Sequence, residues 1–136
     1  MAKGYNANQA RLVALSLLGK DLARRAKSKC ELSGESGVSL MTYEIEPAPS
    51  EPDINKCLLV SESVLQQIQS PRSIVGSAWR GILTDLIWSE SPAQLAMAHR
   101  LLSHIAQKEA WAQDVLDEAI LDDETVAWAE SAPLGK

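Results

Sequence analysis

The chain has no phenylalanine, two cysteines, two histidines and two tyrosines among its 136 residues. Two cysteines cannot build the dense disulfide framework of a small secreted domain. No window holds 18 apolar residues, so no membrane-spanning helix is expected. The first residues, Met1-Ala2-Lys3-Gly4-Tyr5, contain no apolar run, so no secretory signal is expected. The expected setting is a reducing cytoplasm, with Cys30 and Cys57 as free thiols rather than a disulfide. Also missing are G-x-G-x-x-G, the phosphate-binding G-x-x-x-x-G-K-[ST], H-E-x-x-H and G-x-S-x-G. No spacing recommends a serine–histidine pair for nucleophilic catalysis.

What remains is ordinary in bulk and uneven in distribution. Hydrophobic residues make up 46% and charged residues 23%, enough for one compact domain or two small lobes sharing a core. The net charge of −5 argues against general nucleic-acid binding. The segment through Lys29 is nonetheless strongly basic, and the last quarter, with Asp114, Asp117, Glu118, Asp122, Asp123, Glu124 and Glu130, is strongly acidic. Such asymmetry marks a partner surface, or two ends of the chain that face each other.

Read in order, residues 1–8 look frayed, with Asn8 as an N-cap for a helix over about Gln9–Lys27. Leu12, Leu15, Leu18, Leu22 and Ala26 share one stripe of it, and Lys20, Arg24 and Lys27 lie opposite. These cations, with Arg25 and Lys29, form either a solvated helix face or a phosphate-backbone contact. Gly34-Glu35-Ser36-Gly37 opens a hairpin, with short antiparallel strands expected around Val38–Leu40 and Tyr43–Ile45. Three prolines at 47, 49 and 52 make a stiff loop. Cys57–Val60 reads as a buried strand, and Ser61 caps a helix from Glu62 to about Gln69. The rest is helical. Val75, Trp79, Ile82, Leu83 and Leu86 form a stripe ending near Trp88. Ser91-Pro92-Ala93-Gln94 starts a helix that buries Leu95, Ala98, Leu101, Leu102 and Ile105. A segment over about Ala110–Leu121 follows, and Asp122 caps a last helical turn or two through Trp128. Trp79 belongs to the core; Trp88, off its stripe, is read as core or as a contact residue, with core the favoured assignment.

The stretch from Cys30 to Val64 has the spacing of a two-knuckle zinc site. The four ligand slots would be 30, 33, 61 and 64, and they hold Cys30, Ser33, Ser61 and Val64. One thiol remains. A serine hydroxyl is a poor zinc ligand at neutral pH and a valine is none, so these are vestigial positions and no metal or cofactor is expected. Cys57, His99 and His104 do not restore the set, because the two histidines are five apart on one helix, about 140° around its axis. A hairpin between two knuckles also occurs in HNH-type nucleases, but this one offers Tyr43, Glu44 and Glu46 and no histidine to activate water.

Several words of the sequence, taken together, resemble the PhnA-domain family. They are Cys30-Glu31-Leu32, Tyr43-Glu44-Ile45-Glu46-Pro47, Ser61-Glu62-Ser63, Trp79-Arg80 and Ile87-Trp88-Ser89-Glu90-Ser91-Pro92-Ala93. Two more are Trp111-Ala112-Gln113-Asp114-Val115-Leu116-Asp117 and the run Leu121–Ala129. The resemblance covers roughly Lys20 to Ala132. It implies a zinc-ribbon region with C-x-x-C at each knuckle, three of whose cysteines are replaced here by Ser33, Ser61 and Val64. It also implies a small C-terminal β-barrel in many relatives, which does not follow in this sequence. The family name points to phosphonate use, but the resemblance implies a fold and no reaction.

The expectation is an α+β chain that is mostly helical. Its parts are an amphipathic helix over 1–29, a metal-free, treble-clef-like knuckle-hairpin lobe over 30–70 and a helical lobe over 71–136. The expected role is non-enzymatic, a cytoplasmic interaction or accessory protein whose partner is another protein, with self-association as one form. The alternative is a nucleic-acid-associated module using Lys20, Arg24, Arg25, Lys27 and Lys29. An enzyme with a cryptic site is the third reading.

Overall fold

The computed structural model describes residues 2–134, with side chains from residue 9 onward. Five consecutive residues, Cys57–Ser61, are all buried and form strand β2. β2 pairs antiparallel with β1, Leu40–Glu44, in a register that sets Tyr43 opposite Leu58 and Glu44 opposite Cys57. Directly opposed residues share a face of the sheet. Tyr43, Leu58 and Val60 therefore enter the main core, while Cys57 and Leu59 enter a second cluster on the other side.

The long helix α1, Ala2–Ala26, covers that second face with Leu15, Leu18 and Leu22. Helices α2, Glu62–Gln69, and α4, Pro92–Ile105, cover the first. Helix α3, Gly76–Leu86, packs on α4, as do α5, Ala110–Glu118, and α6, Asp123–Glu130. The main core draws on the knuckle segment, through Cys30 and Leu32, and on helices as far along as Ala112. The chain is thus mostly α, with one small antiparallel sheet.

Three helix starts follow directly from sequence chemistry. Ser61, Ser91 and Asp122 each accept the backbone N–H three residues on, from Val64, Gln94 and Thr125. Trp79 is buried, and its indole N–H donates to Gln67 Oε1 at 2.8 Å. α4 is enclosed more widely than an apolar stripe requires, because α3, α5, α6 and the sheet all pack on it. Arg100, 4% exposed, lies on α4. Its Nε donates to Ala129 O at 2.9 Å and its Nη2 to Trp128 O at 2.9 Å and to Glu46 O. One guanidinium thus closes the last carbonyls of α6 and ties that helix to the proline loop. Burial lowers the Arg100 pKa from its ordinary value, yet the three carbonyls keep the cation satisfied.

The structure corrects the sequence reading at several points. α1 begins at Ala2, not near Gln9. Helix growth is cooperative, so a stripe anchored on Leu15, Leu18 and Leu22 carries weaker helix formers with it. Two strands do not form within 38–45. Met41-Thr42 lacks the glycine or asparagine of a tight hairpin turn, and the buried backbone of β2 needs a ladder partner, which β1 supplies across the proline loop. Leu12 and Val75 are exposed and Leu95 is half-buried. Trp88 is 63% exposed, outside the core, because α3 ends at Leu86 and the chain turns before the ring can pack inward.

Arg100→Met should lower unfolding stability by about 2–4 kcal/mol, since three carbonyls lose a charged donor. Arg100→Lys should recover only part of it, because an ammonium cannot span the same fork. Denaturant unfolding of the three proteins checks this; equal midpoints would show that the guanidinium is dispensable.

Candidate functional site

The four positions read from the sequence as ligand slots, 30, 33, 61 and 64, lie on two tight segments, the loop after α1 and the start of α2. α1 ends with Lys27 and Ser28 both left-handed, at φ 56° and 59°, which reverses the chain without a glycine. Gly34 and Gly37, at φ 80° and 72°, then make the turn that follows. Cys30 N–H donates to Glu35 O at 2.8 Å, and Gly34 N–H to Cys30 O at 2.9 Å. Within this loop the buried Cys30 Sγ accepts the Ser33 N–H at 3.4 Å. Ser33 Oγ donates to Glu35 Oε1 at 2.9 Å, and Ser61 Oγ donates to the same oxygen at 3.1 Å. Ser61 Oγ in turn accepts the Val64 N–H, and Val64 lies in the same buried cluster as Cys30.

Glu35 is thus the link between the two knuckle turns. Sequence reasoning missed it; the available signal was a carboxylate between two turn glycines, Gly34 and Gly37. The set comprises one thiol, two hydroxyls, one exposed carboxylate and an apolar side chain. Among the described residues no group of three or more His, Cys, Asp or Glu side chains is placed to hold a metal ion. The chemistry on offer is hydrogen bonding.

Cys57 is not part of this set. It faces α1, in a buried cluster separate from that of Cys30, and both thiols are free. Burial, reinforced by the nearby Glu44 and Asp53 carboxylates, pushes the Cys57 thiol up to about 11.

The five basic residues divide. Arg25 is committed within the chain. It forms a bidentate pair with Glu31, at 3.0 and 2.7 Å, and donates to Ile54 O and Cys57 O, each at 2.8 Å. Glu31 Oε1 also accepts the Leu59 N–H at 2.9 Å, while Glu31 N–H donates to Leu59 O at 2.7 Å. Lys20, Arg24, Lys27 and Lys29 are exposed, and Arg24 makes only a loose 3.8 Å contact with Asp21. Sequence reasoning gave no role to Arg11, which clamps the first half of α1. It forms a bidentate pair with Glu44, which raises its pKa, and also donates to Pro49 O and Ser50 O.

The helical spacing places Val13 and Leu17 in line with Lys20 and Arg24, opposite the buried stripe, while Lys27 lies just past the helix end in the left-handed region. Val13 is 57% and Leu17 73% exposed. The acidic residues of α5 and α6 are exposed, and Ile120, in the link between the two helices, is 87% exposed. The two ends do not face each other: α1 lies on the sheet, and α5 and α6 lie on α4 beyond the other face. Among the described residues no ion pair joins α1 to that acidic segment.

His99 and His104 border one groove of about 470 Å³, with Arg100, Ser103 and Glu130. The Ser103 hydroxyl and His99 Nδ1 are 3.3 Å apart, an i,i+4 pair that sequence reading did not single out. His104 Nε2 is held by Pro71 O at 3.0 Å. Burial lowers the His99 pKa from its ordinary value, against the opposing pull of the Glu130 carboxylate.

The raised Cys57 value has a testable consequence. The thiol is protonated in both states below pH 9.0, its ordinary value, so it leaves stability unaffected there. Above that pH the unfolded chain ionises first, and stability should fall until pH passes the folded value near 11. Cys57→Val should flatten this alkaline loss in denaturant melts between those limits. At pH 8 native Cys57 should resist alkylation, and rapid labelling followed by mass mapping would contradict its burial.

Comparison of the chain with protein-family models, with curated proteins and with solved structures finds no match.

Proposed function

We propose that this chain is a non-enzymatic, PhnA-like interaction module. Its knuckle scaffold is held by hydrogen bonds in place of a metal, and its contact surface is the outward face of α1. The observation that carries the reading is that face itself: Val13 and Leu17 are exposed in line with Lys20 and Arg24. An amphipathic helix normally turns apolar residues inward. Here one stripe already covers β2, and a second apolar-basic stripe is left over. Glu35 bridging Ser33 and Ser61 supports the scaffold part of the reading, because it joins two of the four ligand slots.

The nucleic-acid alternative rests on the exposed Lys20, Arg24, Lys27 and Lys29. Arg25 does not join them, since its guanidinium is held by four hydrogen bonds to Glu31 and two carbonyls.

A photo-crosslinking side chain at position 17, introduced in cells, tests the contact surface. A discrete protein adduct that disappears in Lys20→Glu/Arg24→Glu carries the interaction reading. Nucleic-acid adducts would carry the alternative instead, and no adduct of either kind would sink both.

The scaffold is tested separately by Ser33→Cys/Ser61→Cys/Val64→Cys, which with Cys30 completes four thiolates. This variant should take up one zinc per chain, and cobalt in its place should give the absorption of a tetrahedral thiolate site. A folded variant that binds no metal would refute the knuckle geometry.

A further inference from the structure

The charge of this chain is segregated along its length. Residues 1–29 hold seven lysines and arginines against one acid, Asp21, while residues 109–134 hold eight carboxylates and no lysine or arginine. The fold keeps these regions apart, with the sheet and α4 between them. Each region also exposes apolar side chains among its charges. On α1 these are Val13 and Leu17, beside Lys20 and Arg24, with the exposed Lys27 just past the helix end; at the α5–α6 corner it is Ile120, between Glu118 and Asp122 in the sequence.

A basic-apolar strip and an acidic-apolar corner on one chain are complementary surfaces that one copy cannot bring together. We infer that they meet between copies: the outward face of α1 docks on the α5–α6 corner of a second copy of this chain. Lys20, Arg24 and Lys27 lie against Asp117, Glu118, Asp123 and Glu124 in this contact, and Ile120 lies against Val13 and Leu17. The inference rests on the reading of α1 as a contact surface and names its occupant.

The geometry fixes the type of assembly. The two surfaces differ, so the contact is heterologous, and each copy offers one of each. Addition then continues head to tail, or closes into a ring where the rotation allows, and a two-fold dimer is not the product. Opposite charges around a small apolar centre steer the encounter and make it weaken with salt.

The test uses the purified full chain in sedimentation velocity, over a range of concentrations, at about 0.1 M and about 1 M salt, where the screening length drops from about 10 Å to about 3 Å. Expected is a mass that grows with concentration at the lower salt and falls back at the higher. Lys20→Glu/Arg24→Glu should abolish the growth, and so should Asp117→Lys/Glu118→Lys. Lysines there also suit the C-terminal end of α5. Mixing the two variants should restore association, because each then offers the charge that the other lacks. Lys56→Glu/Arg72→Glu changes the net charge as much as the first variant but lies off both surfaces, and should associate like the native chain.

A native chain that stays monomeric at the lower salt overturns the inference. So does association that survives either charge reversal, that is lost equally in the Lys56/Arg72 variant, or that mixing fails to restore. A monomeric chain whose position-17 adduct in cells is a different protein overturns this inference alone. The absence of any adduct removes the interaction reading beneath it.

Discussion

The burial of β2 on both faces is the constraint from which the rest of the molecule follows. A strand with no solvent on either side must have helices above and below it and its backbone groups paired along both edges. α1 therefore lies on Cys57 and Leu59, while α2 and α4 lie on Leu58 and Val60. β1 supplies one ladder, even though the proline loop lies between the two strands. α4, enclosed by α3, α5, α6 and the sheet, is where the buried Arg100 can reach both α6 and the proline loop.

Polar groups inside this frame are used economically. Arg11, Arg25 and Arg100 each join a helix to a distant loop through backbone carbonyls. Glu35 does the same on a smaller scale, holding two serine hydroxyls with one oxygen. The helices at either end carry exposed charges of opposite sign, and among the described residues no ion pair joins the two ends; that is the feature our functional reading builds on.

Much of the fold was legible because it depends on local chemistry. Ser61, Ser91 and Asp122 announce their helices through capping, and Pro92 marks the first turn of one of them. The buried run Cys57–Val60 could be read from its apolar residues alone. The partner of β2 could not, because pairing across a long loop leaves no trace in local spacing. Trp88 was misplaced because the termination of α3 decides its exposure, and periodicity does not encode where a helix stops. Within the candidate site, residues 30, 33, 61 and 64 were singled out by their spacing. Glu35 was not, since its role arises only when the two turns meet in space. Arg25 looked free because its partners, Glu31 and the carbonyls of residues 54 and 57, lie on other elements.

The Arg25–Glu31 pair has one more consequence. A two-stranded sheet has two open edges, and an unpaired edge on an apolar strand is a template for joining another chain. Along the outer edge of β2, Glu31 meets both the N–H and the C=O of Leu59, and Arg25 takes the C=O of Cys57. A short piece of chain and one ion pair thus act as a false third strand over the segment of this protein best suited to amyloid-like stacking. The edge left open belongs to β1, which carries Thr42 and the clamped Glu44 and is the less hazardous of the two.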